Sequence, residues 1–144
     1  MVNVQTEVVI NRPRTQVADY VANPDNAPQW YVNIHKSQRL TDGPLGVGSK
    51  AAFTARFLGR ELNYTYEFVE YVPGRKLVMR TAQGPFPMQT TYTWTDDDGG
   101  TRMTLGNSGR PSGFSRLAGL VMAPMMRREN RKDLRKLKTI LESQ

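Results

Sequence analysis

Between Gly48 and Gly109, apolar and polar residues alternate in short runs separated by turn residues. Phe53, Ala55 and Phe57 alternate with Thr54 and Arg56. Beyond a Leu58-Gly59 break, Leu62, Tyr64, Tyr66 and Phe68 alternate with Asn63, Thr65 and Glu67. Tyr92 and Trp94 then alternate with Thr91, Thr93 and Thr95, and Met103 and Leu105 with Arg102 and Thr104. A period of two puts alternate side chains on one face of a pleated strand, so the pattern predicts antiparallel strands with one face turned from water. Val2, Val4, Val8 and Ile10 predict a first strand by the same rule. Pro13 then suits a first helical turn, and Val17, Tyr20 and Val21 share one helical face until Asn23-Pro24 stops it. Asp25 or Asn26 can cap a second short helix ending near Trp30, and 32–40 reads as a weaker strand. Asp42-Gly43-Pro44, Pro73-Gly74, Gly84-Pro85 and Asp98-Gly99-Gly100 mark the turns between later strands.

A long helical pattern follows, from about Phe114 to Leu141. Leu117, Leu120, Val121 and Met125 share one face before or at Pro124, whereas Met126, Leu134, Leu137, Ile140 and Leu141 lie on nearly the opposite side. A straight helix cannot bury both stripes on one sheet. Pro124 lacks an N–H and crowds the carbonyl four residues back, which predicts a kink or interruption between Gly119 and Arg127. Leu117, Leu120 and Val121 would then belong to a mobile lid or pocket mouth, and Met122, Met125 and Met126 would fill irregular space around the proline.

Length bounds the architecture. A chain of 144 residues suits one domain, 1–144, and can bury a full core without disulfide staples. It has no cysteine, which suits a reducing cytoplasm, and its N-terminus lacks the plan of a signal peptide. The run from Leu117 to Met126 contains Pro124 and is too short to span a bilayer. Net charge is +7, and Arg127, Arg128, Arg131, Lys132, Arg135, Lys136 and Lys138 all lie in the last helix. A solvated face opposite a core face accounts for this stripe, with an anionic membrane or nucleic acid as the alternative partner. No aromatic interleaves with it, which weakens the nucleic-acid case.

The chemistry-bearing residues are sparse. His35 is the only histidine and has no patterned carboxylate partner; Asp96-Asp97-Asp98 reads as a solvated hairpin turn. One histidine and no cysteine leave no zinc set, the serines sit in no nucleophile elbow, and the glycines form no phosphate-binding loop. No cofactor is expected. Tyr64, Tyr66 and Tyr92 are the polar groups expected to point inward, where a phenol can orient a ligand carbonyl or act as a weak acid.

The segments Ile10-Asn11-Arg12-Pro13 and Val17-x-Asp19-Tyr20-Val21-x-x-Pro24, with Trp30, Gly46-Val47-Gly48, Glu70-x-x-Pro73-Gly74-Arg75, Gly99-Gly100-Thr101-Arg102-Met103-Thr104 and Leu134-x-x-Leu137-Lys138-x-x-Leu141-Glu142, carry a resemblance over nearly the whole chain. The sequence resembles the SRPBCC (START-like, helix-grip) superfamily, in its bacterial polyketide cyclase/dehydrase-like branch. That resemblance implies an α+β fold: a seven-stranded antiparallel sheet curved around a long C-terminal helix, with two short helices between strands one and two and a pocket between sheet and helix. Members bind lipids, sterols, polyketides, plant hormones or quinones, and some catalyse cyclisation or dehydration; no catalytic residue is carried over. The expected function is binding of a small hydrophobic ligand, such as a lipid, polyketide, isoprenoid or aromatic. The expected pocket is lined by Trp30, Phe53, Phe57, Tyr64, Tyr66, Met79, Tyr92, Trp94, Leu117, Leu120 and Met125, in a monomer or weak dimer. The alternative is a cyclase or dehydratase on the same scaffold, with a tyrosine hydroxyl and Arg80 or Arg56 as acid or anion holder.

Overall fold

The computed structural model describes residues 2–57, 59–110 and 116–144, and of 116–121 the backbone alone. Strand β1 (Val2–Ile10) leads into α1 (Arg14–Ala22), a 3-10 turn (Pro24–Asn26) and α2 (Ala27–Trp30). Then come β2 (Ile34–Arg39), β3 (Lys50–Phe57), β4 (Arg60–Val72), β5 (Lys76–Gln83), β6 (Met88–Asp97), β7 (Gly100–Gly109) and α3 (Arg116–Glu142). The strands form one sheet in the order β1-β7-β6-β5-β4-β3-β2, every neighbouring pair antiparallel. This is the expected helix-grip architecture.

Turn chemistry sets the registers. Asp97 pairs with Gly100 across a two-residue loop in which Asp98 (φ 47°) and Gly99 (φ 82°) are both left-handed. That is the conformation a tight right-twisted hairpin needs. Register shifts at Ile34/Lys36 in β2 and at Thr65/Tyr66 and Phe68/Glu70 in β4 add local bends. The 3-10 turn is capped by Asn23, whose side chain accepts from the Asp25 N–H at 3.1 Å, while Asn26 takes the expected N-cap position of α2 without a side-chain hydrogen bond there. A β-region backbone at Asn23 is what lets it cap.

The main core joins Ile10, Val17, Trp30, Phe53, Phe68, Leu77, Trp94, Met103 and Leu105 to Leu134, Leu137 and Leu141 of α3. A smaller cluster joins Val2 and Val4 of β1 to Met122. Of the expected kink or interruption, the interruption is absent: the helix is unbroken through Pro124. Its physical reason lies in which residues face inward. Met122, Met126, Asn130, Asp133, Leu137 and Leu141 follow one another at spacings of four and three, one continuous stripe. Asn130 and Asp133, two of its members, are polar and dilute its apolar signal in the sequence; Met126, Leu137 and Leu141 are its members from the expected second stripe. Leu117, Leu120 and Val121 belong to the expected first stripe and lie outside the described side chains. Pro124 is exposed on the far side, as are Arg128, Arg131, Lys132, Arg135 and Lys136. Among the described residues, no helix is long and apolar enough to cross a membrane.

Because Pro124 is exposed, replacing it removes no packing and returns an N–H to the helical ladder. Pro124→Ala should therefore stabilise the protein by about 1–3 kcal/mol, read as a higher denaturant midpoint. A lower midpoint would mean that the proline sets a backbone geometry the fold requires.

Candidate functional site

The inward face of the sheet does not meet α3 everywhere. A cavity of about 180 Å³ lies between them, bounded by α1 and α2 at one side and by Val2, Phe86 and Met88 at another. Seven of the residues singled out from the sequence line it: Trp30, Phe53, Phe57, Tyr64, Tyr66, Met79 and Tyr92. Trp94 does not; it is 1% exposed within the main core, its ring 6.0 Å from that of Tyr92. Met125 is half-buried and outside the wall, whereas its neighbour Met126 is in it. Leu117 and Leu120 lie outside the described side chains. Ala55 on β3 supplies the small side chain that leaves space beside the rings.

The aromatic wall holds itself in place. Phe53 stacks on Tyr64 with centroids 5.5 Å apart, and Tyr64 meets Tyr66 edge-on at 5.1 Å. Trp30 sits 3.9 Å from Tyr31 and 6.1 Å from Tyr92. Such pairs add stabilisation beyond their buried area and restrict ring rotation.

Two hydroxyl pairs sit in this wall. In the first, Thr90 Oγ1 donates to Asn107 Oδ1 at 2.8 Å, which uses its one hydrogen. Tyr66, 2.8 Å from Thr90, must then be the donor to it, and its hydroxyl hydrogen is committed. In the second, the Tyr31 and Tyr92 hydroxyls lie 2.6 Å apart. One hydrogen bridges the pair, and the other remains free to donate to a ligand. Burial pushes the Tyr66 phenol up to about 12, and burial likewise raises Tyr31, Tyr64 and Tyr92. All four are neutral donors near neutral pH.

Sequence patterning missed the wall's contribution from α3: Glu129, Asn130 and Asp133. Asp133 is 3% exposed and accepts the Val32 N–H at 3.0 Å. Burial pushes its carboxyl up to about 6; Glu129 adds to the rise, while the Val32 N–H, Lys136 and Lys132 oppose it. Glu129 accepts from Asn33 Nδ2 at 3.4 Å and pairs with Lys132 at 3.6 Å. The two carboxyls thereby tie α3 to the segment between α2 and β2. The available signal was the i, i+4 spacing of Glu129 and Asp133 on the face that also carries Met126 and Leu137, hidden because carboxylates on a basic helix read as surface ion pairs.

The other chemical candidates lie elsewhere. His35 is exposed on β2, and Arg80 is exposed and donates to Gln89 at 3.1 Å, so it holds nothing in the cavity. Arg56 reaches the rim from an exposed position. Asp96 pairs with Arg14 at 3.2 Å and Asp97 with Arg102 at 2.8 Å, as a solvated turn would.

The raised Asp133 carboxyl has a consequence for stability. Its protonated form is favoured by the fold, so its contribution is full below the unfolded value, near 3.8, and is lost as pH rises through about 6. Asp133→Asn keeps an acceptor for Val32 and abolishes the ionisation. It should be more stable than the wild type by about 1–3 kcal/mol at about pH 8, with the gap closing below about pH 4, in denaturant titrations across that range. A wild type that is the more stable of the two at high pH would contradict the burial of this carboxylate.

Residues 1–142 match the family model described as polyketide cyclase / dehydrase and lipid transport. No curated protein matches the chain by sequence. Among solved structures, a protein from Thermus thermophilus superimposes with a TM-score of 0.81 at 15% identity, over 95% of this chain and 94% of that one. The Zhui aromatase/cyclase from Streptomyces gives a TM-score of 0.77 at 16% identity, over 97% and 93%. A START superfamily protein from Mycobacterium smegmatis gives 0.70 at 14%, over 98% and 94%. Fold and family model agree: the chain has the helix-grip fold of these structures and belongs to the polyketide cyclase / dehydrase and lipid transport family.

Proposed function

We propose that the protein binds a small hydrophobic molecule of about one ring, aromatic or short isoprenoid, between its sheet and α3. The observation that carries this reading is the cavity itself: about 180 Å³, walled by aromatic and methionine side chains with a few convergent polar groups. Volume decides the size of the guest. A cavity of ~150 Å³ takes benzene, whereas sites for drug-sized ligands run from ~300 Å³ upward. A monocyclic compound therefore suits the space better than a sterol, a long-chain lipid or a multi-ring polyketide. Filled only with water, such a cavity forgoes the dispersion contacts that a guest would make with its apolar walls. Binding to a guest offsets that loss. The cysteine-free chain suits the cytoplasm, and we read it as one domain, 1–144, working as a monomer or weak dimer.

A cyclase or dehydratase is the second reading. It is favoured by the Tyr31–Tyr92 pair and Asp133 lining the same cavity, a neutral acid and a carboxyl poised near 6. The aromatase/cyclase among the structural neighbours has that class of activity in its name. Loss of one water from a β-hydroxy ketone probe, read by mass and abolished in Tyr92→Phe, would support it.

Binding is tested by native mass spectrometry of protein purified without detergent, and by titration with a monocyclic hydrocarbon such as isopropylbenzene. Saturable binding is expected. Ala55→Phe, which fills the cavity from β3, should remain folded and lose that binding by at least about tenfold. No binding to the wild type, or undiminished binding to Ala55→Phe, would refute the cavity as the site.

A further inference from the structure

Two donors in this wall have no partner. Asn130 is 6% exposed and Trp30 1% exposed, both line the cavity, and neither Asn130 Nδ2 nor Trp30 Nε1 has a hydrogen-bond partner among the described residues. A buried N–H left unpaired costs about 1–3 kcal/mol. Such groups are uncommon in native cores and each calls for an explanation. A third donor is the hydroxyl hydrogen that the Tyr31–Tyr92 pair does not use internally. The free polar capacity of the cavity is therefore weighted towards donors, and its complement is an acceptor on the guest.

The charge of that acceptor is constrained by the neighbours of Asn130 on α3. Glu129 and Asp133 both line the cavity, and Asp133 is buried beside it. A carboxylate on the guest would meet the buried Asp133 carboxyl, and beside it Glu129, whose charge Lys132 offsets in part, in a wall with little water, where like charges repel strongly. Arg56, the cation at the rim, is exposed and its attraction is screened by water.

We infer that the site selects a neutral carbonyl compound of about one ring, an aromatic ketone or cyclic enone, whose oxygen accepts from Asn130 Nδ2. The inference rests on the binding reading above and adds the polar handle to it. An aliphatic or aromatic hydrocarbon would leave the donors unpaired. The corresponding acid would meet the carboxyls. Asn130 is thus a specificity residue, and no bond is made or broken.

Three probes of nearly one shape separate the possibilities: isopropylbenzene, acetophenone and benzoate, which differ only in what the ring-attached carbon carries. Affinities are measured by calorimetry at about pH 7.5, where Asp133 is ionised. Acetophenone should bind about tenfold more tightly than isopropylbenzene, and benzoate at least about tenfold more weakly than acetophenone. In Asn130→Leu the preference for acetophenone over isopropylbenzene should fall to about one, with hydrocarbon binding retained or improved. The retained hydrocarbon binding doubles as proof that the variant is folded. A second readout is the Asn130 side-chain NH₂ resonance in a ¹⁵N-labelled sample, which should move on addition of acetophenone and stay in place with isopropylbenzene. Equal binding of ketone and hydrocarbon to the wild type overturns this inference and leaves the cavity reading standing. Failure of all three probes overturns the cavity reading itself. Benzoate binding as well as acetophenone, or a preference that survives Asn130→Leu, overturns the assignment of Asn130 and its carboxyl neighbours.

Discussion

One helix must cover the apolar side of a seven-stranded sheet, and its C-terminal part is fastened in the main core. Leu134, Leu137 and Leu141 enter the main core beside Ile10, Val17 and Trp94, with almost no exposure. Those contacts set the direction of α3. Upstream, from Met122 to Asp133, the helix faces a row of aromatic rings on β3, β4 and β6, and the cavity is the space left between them. Met122 closes the far end by packing against Val2 and Val4 of β1. The helix therefore acts as a beam supported at both ends, with Asp133 and Glu129 bonded to Val32 and Asn33 along its span. Loosening either end would change the cavity before it changed the sheet.

Alternation made the sheet legible because each strand has one wet face. Phe53 and Ala55 on β3, Tyr64 and Tyr66 on β4, and Tyr92 and Trp94 on β6 all point to the side the pattern indicates. Alternation cannot say how far along a strand the cavity extends. Tyr92 and Trp94 have the same periodicity and both belong to the main core, yet only Tyr92 also borders the cavity. Depth along a strand depends on where the helix lands, and that is a tertiary fact.

The helix was harder to read for a different reason. Hydrophobic periodicity presumes that inward-facing residues are apolar, and here Asn130 and Asp133 occupy the middle of the inward stripe. With those two positions scored as polar, the inward stripe loses its centre, and Met126 stands apart in sequence from Leu134, Leu137 and Leu141. Tyr31 was missed because it follows the last residue of α2, where no periodicity applies, although its hydroxyl completes the pair with Tyr92. Residues placed by a segment between elements carry no pattern to detect.

These failures of patterning share one location. The cavity, the buried carboxyl of Asp133 and the unpaired N–H groups of Asn130 and Trp30 each lower the stability of the folded chain, and all of them meet in the same wall. Thr6 Oγ1 and Trp94 Nε1 also have no hydrogen-bond partner among the described residues, but neither residue lines the cavity. Natural sequences break their local rules mainly where a function requires it. A leucine at 130 and another at 133 would restore the stripe, complete the core face of α3 and remove the penalties that fall on that helix. The chain carries an amide and a carboxyl there instead, next to a space the size of a single ring, which is the arrangement expected of a surface shaped for a guest with one polar end.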